Sequence, residues 1–113
     1  MNLSRRKFLE LTAGAAALPL AAQSAWAQSY PARAVRVVVP VAAGGANDVS
    51  ARLIGQWLSE RLGQQFVIEN RPGAGTNVGT ESVIRAAADG YTLLIAGSNA
   101  AINPSLFASL SFN

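Results

Sequence analysis

Three short apolar runs, each followed by a glycine-rich break and then a helix-like pattern, constrain this 113-residue chain more than any other feature. Residues 34–40 read Ala-Val-Arg-Val-Val-Val-Pro, rich in β-branched side chains and closed by Pro40. Such a run fits a buried strand. A loop over residues 41–47 follows, and Asn47 or Asp48 is expected to cap a helix reaching Leu62. Val49, Leu53, Ile54, Trp57, Leu58 and Leu62 keep helical spacing, so Trp57 and Leu58 are expected in the core. Gly63 supplies the left-handed residue that ends the helix. Residues 66–69 form the second expected strand. A second glycine-rich loop leads to a helix over residues 78–88, capped by Thr76 or Asn77. Asp89-Gly90 marks a turn, residues 91–96 a third strand, and Asn103-Pro104 the opening of a short third helix. The order β-α-β-α-β-α with right-handed crossovers gives an α/β fold, a parallel sheet flanked by helices. A three-stranded parallel sheet leaves two long edges and buries little, so the chain reads as part of a larger fold.

Ahead of this pattern stand Ser4-Arg5-Arg6-Lys7-Phe8-Leu9, an apolar run from Leu11 to Ala22, and Ala25-Trp26-Ala27 before Gln28. Basic start, short apolar middle and small-residue exit make residues 1–27 a secretory signal, and the arginine pair makes it twin-arginine-type. The run is shorter than the roughly 20 residues that span a bilayer, so the mature protein, residues 28–113, is expected to be exported, periplasmic and not membrane-spanning. Three of the nine basic residues and one of the six acidic ones fall in this leader. What remains is nearly balanced, with no basic face for nucleic acid. The chain has no cysteine and no histidine, which removes disulfides, thiol chemistry and the commonest general base. No cluster of acids offers a metal site, and no cofactor is expected.

The loops after the three strands hold most of the small and polar residues. In a parallel sheet they share the carboxyl edge, where ligands bind. Each leads into a helix N-terminus, whose free N–H groups and dipole favour an anion. Ala43, Gly44, Gly45 and Ala46 let a ligand approach the backbone closely. Thr76, Asn77, Ser98 and Asn99 offer uncharged hydrogen bonds. Asp48 reads as a helix cap or a ligand contact, and Arg71 as a ligand partner or a partner of Glu69. Two enzyme motifs fail. Gly73-x-Gly75-x-x-x-Gly79 has one residue too many for a dinucleotide fingerprint and follows the second strand. Ser98 lacks the G-x-S-x-G setting, and no histidine is present to complete a triad.

The same residues resemble the extracytoplasmic solute receptors of the tripartite tricarboxylate transporters, the Bug family. The resemblance rests on Tyr30-Pro31, Val37-Val38-Val39-Pro40, Ala43-Gly44-Gly45-x-x-Asp48, and Glu69 through Gly75 (Glu-Asn-Arg-Pro-Gly-Ala-Gly). It continues in Asn77-x-Gly79, Ala88-Asp89-Gly90-Tyr91-Thr92-Leu93-Leu94 and Ala101-Ile102-Asn103-Pro104. It implies a two-lobe fold, periplasmic binding protein type II-like, of which residues 28–113 are the first part of the first lobe. It implies a non-enzymatic receptor that binds a small organic carboxylate in the cleft and delivers it to transporter subunits in the membrane. The motif positions map ligand binding onto Ala43, Gly44, Gly45, Asn47, Asp48, Gly75, Asn77, Ser98 and Asn99. Asn47 stands where many relatives carry Thr or Ser, and Asn99-Ala100 where many carry a Thr-His pair. Both places are suited to tuning ligand choice. Two other readings stay open at this point: an exported α/β hydrolase with further catalytic residues elsewhere, and a truncated product without function.

Overall fold

The computed structural model describes residues 29–112, so the leader expected over residues 1–27 lies outside the described residues. Strand β1, Val35–Val39, takes the centre of the sheet. Its valines explain why. Val35, Val38 and Val39 are fully buried and Val37 nearly so, and β-branched side chains suit a strand covered on both faces. β1 pairs in parallel with β2, Phe66–Asn70, and with β3, Thr92–Leu94, giving the order β2-β1-β3. Val37 stands opposite Ile68 on one side and Leu93 on the other. The parallel sheet expected from the alternating pattern is therefore present.

Helix α1, Ala46–Leu62, connects β1 to β2, and helix α2, Asn77–Ile84, connects β2 to β3. The two crossovers run in opposite directions across the sheet, so right-handed connections put the helices on opposite faces. On the α1 face Val35, Val37 and Phe66 form the core, joined by Leu58, Ile68, Tyr91 and Ile95. On the other face α2 comes down on Pro40. A Cβ added at Gly79 would lie 2.7 Å from Pro40 Cβ and 2.8 Å from the Arg71 carbonyl oxygen. Only glycine permits that approach. Helix α3, Asn99–Leu106, follows β3.

Several boundaries differ from expectation. Gly45, in extended conformation, is the N-cap of α1, and Asp48 lies inside the first turn. Gly63 ends α1 as expected, with φ 73° and its N–H donating to the Ser59 carbonyl. α2 stops at Ile84, where the Arg85 N–H donates to the Glu81 carbonyl and the Ala86 N–H closes a tighter turn on the Val83 carbonyl; the Asp89 turn follows, with the Tyr91 N–H donating to Asp89 Oδ1. α3 begins at Asn99, ahead of the expected Asn103 opening, and takes Pro104 into its interior. Ala100 and Ala101 are strong helix formers, and their N–H groups close the first turn on Gly97 and Ser98.

The apolar stripe of α1 is also displaced. Asp48, Ala51 and Gly55 are its buried residues, and Leu58 packs on the core, but Trp57 is 53% exposed. Ala51 and Gly55 are small, so the helix lies close to β2. The site of a Gly55 Cβ is 3.0 Å from Ile68 Cδ1. The long side chains of Val49, Leu53, Ile54 and Trp57 then flank the contact instead of filling it. Trp57 is covered in part by Arg61, whose guanidinium lies 4.5 Å over its ring.

Candidate functional site: the carboxyl edge of the sheet

Parallel register brings the loops after β1, β2 and β3 to one edge. With β1 central, the chain leaves for one side after β1 and returns on the other at β3. That reversal opens a crevice between neighbouring loops. Asn47 Nδ2 lies 3.1 Å from the position of a Gly97 Cβ, so the first and third loops touch beside Ser98.

The first loop is locked from within. The Gly44 N–H donates to Asp48 Oδ2 at 2.9 Å, and Gly44 has φ 93°. Arg52 Nε donates to the same oxygen at 3.0 Å, and Asn70 Nδ2 donates to Oδ1 at 2.9 Å. Asn70 also donates to the Val41 carbonyl at 3.1 Å, which ties the end of β2 to the first loop. Asp48 is 3% exposed. The bonds from Arg52, Gly44 and Asn70 hold its carboxyl down to about 2 from the ordinary 3.8. All of this stabilises the charged form. Around the loop, Val41, Ala42, Ala43, Gly45, Ala46 and Asn47 line an open depression of ≈ 410 Å³. Helix geometry leaves the first N–H groups of α1 without an intrahelical acceptor there.

The second loop takes another course. Residues 74–76 form a single 3-10 turn, and Gly75 (φ 62°) and Thr76 (φ 83°) are both left-handed. Asn77 is the first residue of α2 and is buried, not a cap. Its Oδ1 accepts from Asn103 Nδ2 at 2.7 Å, and the same nitrogen donates to the Gly75 carbonyl at 2.7 Å. Ser98 is the N-cap of α3 without a capping side-chain bond; Ser98 and Asn99 are exposed.

The edge thus gathers Ala43, Gly44, Gly45, Asn47, Gly75, Ser98 and Asn99. Asp48 and Asn77 sit just behind it, their side chains engaged within the protein. Arg71 pairs with Glu69. Asn70 and Asn103 were not singled out by reasoning from residue type, because each acts through a partner distant in sequence. A wider open pocket of ≈ 500 Å³ lies among Arg36, Arg71, Glu81 and Arg85 on the α2 face. Its arginines already pair with Glu69 and Glu81, so the loop edge is the better place for an anion. Among the described residues no group of His, Cys, Asp or Glu could hold a metal ion, and no helix is long and apolar enough to cross a membrane.

A parallel sheet in this order, with helices on both faces, matches part of solved periplasmic binding proteins. Residues 50–113 match the family model of the tripartite tricarboxylate transporter family receptor, TctC. The chain belongs to that family. It is similar to Protein BugT of Bordetella pertussis, 44% identical over 88 residues, covering 76% of this chain and 27% of BugT. Among solved structures it is similar to the periplasmic binding protein BugD, with 48% identity and TM-score 0.55, over 57% of this chain and 22% of that one. MatC from Rhodopseudomonas palustris with bound malate gives 48% identity and TM-score 0.55, over 57% and 22% of the two chains. The chain therefore spans about a quarter of the length of these relatives.

Proposed function

We propose that this chain supplies one wall of the ligand cleft in a periplasmic solute receptor, one that takes a small organic carboxylate and passes it to a tripartite tricarboxylate-type transporter. The observation that carries the reading is the convergence of three strand-to-helix loops at one sheet edge, two of them in side-by-side contact at Asn47 and Gly97. Membership of the receptor family and the malate bound by MatC support a carboxylate as the ligand class. Main-chain N–H groups at Gly45 and Asn47, with the first turn of α3 at Ser98 and Asn99, would receive one carboxylate, while the Gly44 N–H stays on Asp48. Asp48 and Asn77 would support those groups from behind. Closure of a second lobe over the bound ligand would be what the transporter reads.

Residues 1–27 would direct export by the twin-arginine route, with cleavage after Ala27. Replacing Arg5 and Arg6 together by Lys should leave the precursor in the cytoplasm. Export at the normal level would overturn that route.

The ligand reading is tested on the isotope-labelled chain by amide chemical shifts during titration with malate, a tricarboxylate and an aromatic acid. Shifts confined to Gly44, Gly45, Asn47, Ser98 and Asn99 with at least one acid are the expected result. At saturation the melting temperature should rise by on the order of 5 °C. No shift at these amides with any of the three acids would sink the proposal.

A further inference from the structure

Gly73, Ala74, Gly75 and Thr76 have φ of 135°, 47°, 62° and 83° in unbroken succession. Among the described residues, Ala74 and Thr76 are the positive-φ residues that carry side chains. L-residues resist this conformation, and such a run persists only where its surroundings impose it. Locally, the Thr76 N–H donates to the Gly73 carbonyl at 3.1 Å and the Val78 N–H to the same oxygen at 3.4 Å, the Asn77 N–H donates to the Ala74 carbonyl, and the Thr80 hydroxyl donates to the Thr76 carbonyl at 2.9 Å. The shorter bonds come from Asn103. Its Nδ2 donates to the Gly75 carbonyl and to Asn77 Oδ1, both at 2.7 Å, with Thr76 Oγ1 at 3.4 Å. Asn103 is 3% exposed and Asn77 is buried as well, so water does not compete for the bond to Asn77 Oδ1.

Asn103 lies four residues after Asn99, on the same face of α3 one turn further along. One end of this short helix carries Ser98 and Asn99; the next turn grips the second loop. Phe107, just past the helix, adds a contact, its ring 3.6 Å from the position of a Gly75 Cβ. We propose that Asn103 is a positioning residue. It holds the second loop in its left-handed path and fastens it to α3, so that the second and third loops present their groups to the edge as one unit. The functional value of that unit rests on the receptor reading above; the clamp itself does not.

Amide hydrogen exchange on the full chain tests it, comparing wild type, Asn103→Ala, Ala74→Gly and the double variant. Asn103→Ala should speed exchange at Thr76, Asn77 and Val78 by about tenfold, while the Arg36 amide in β1, bonded to the Tyr91 carbonyl, keeps its wild-type rate. Ala74→Gly removes the penalty at one left-handed position, so it should slow exchange in the second loop and shrink the effect of Asn103→Ala. A residue that merely fills space would show no such coupling. Unchanged exchange at Thr76–Val78 in Asn103→Ala, or an equal Asn103→Ala effect with and without Ala74→Gly, overturns the proposal. If Asn103→Ala does not fold, Asn103→Asp decides, since it keeps the shape and removes the N–H donor: faster exchange at Thr76–Val78 supports the clamp, and wild-type rates refute it. A malate titration of the wild-type chain reads the receptor proposal separately, and its failure leaves the exchange result standing.

Discussion

The first and second loops solve one problem in opposite ways. Each must carry the chain from a strand end through glycines into a helix N-terminus at the same edge. The first uses a charged residue of its own helix. Asp48 reaches back four residues to the Gly44 N–H and gathers Arg52 and Asn70 around it. The second uses a neutral amide from a helix much further along the chain, Asn103, to hold a run of left-handed residues. A local charged lock forms with its helix but answers to pH. A remote neutral clamp ignores pH but depends on α3 docking correctly.

The largest expected effect comes from attacking the point where both loops meet. Gly79→Ala drives a methyl into Pro40 of the first loop and the Arg71 carbonyl of the second, all backbone or ring atoms that cannot turn aside. It should cost about 3 kcal/mol in urea unfolding. Gly55→Ala offers a contrast: its methyl meets the flexible tip of Ile68, so the cost should stay below about 1 kcal/mol.

Asn103→Ala should come next, at about 2 kcal/mol, since it strands Asn77 Oδ1 in a buried site. This loss should be the same at pH 6 and pH 3, because no titrating group takes part.

The pH dependence of the first loop sharpens the contrast. Asp48 has a folded-state pKa of about 2, below its ordinary 3.8. The folded protein therefore binds this proton less readily than the unfolded chain. Its contribution is fully present above 3.8 and is lost as the pH falls through about 2. Asp48→Asn should flatten the unfolding free energy over that window, and an unflattened profile would remove Asp48 as the lock. Trp57→Ser, away from both loops, should cost least. It gives up mainly the Arg61 stacking, about 0.5 kcal/mol at an exposed site.

What the sequence made legible follows the same division. The valines of β1, the Gly63 stop and the Asp89-Gly90 turn are set by near neighbours, and each stands where periodicity and turn chemistry put it. The shared carboxyl edge follows from the β-α alternation alone. Trp57 lies outside the core because helical spacing says which residues share a face, not how close the helix lies. Gly55 and Ala51 decided that, by letting α1 rest on β2. The start of α3 differs from expectation because Pro104 marks a boundary only where no turn precedes it, and here two alanines ahead of it close one. Asn103 gives no local signal at all. Its partners lie 26 to 28 residues upstream, and only the folded sheet brings them together.

The bareness of the first loop carries a consequence for how such a protein diversifies. Ala43, Gly44, Gly45 and Ala46 contribute little there beyond peptide groups, and every non-proline residue keeps its peptide N–H whatever it is mutated to. Outside Gly44, whose φ of 93° resists any side chain, substitution along this rim can reshape the mouth of the depression without erasing its capacity to greet a negative charge. Under the proposed receptor reading, recognition of the acid group would thereby be buffered against genetic drift, and the identity of the rest of the cargo would be left to the few side chains nearby, Asn47 and Asn99 foremost.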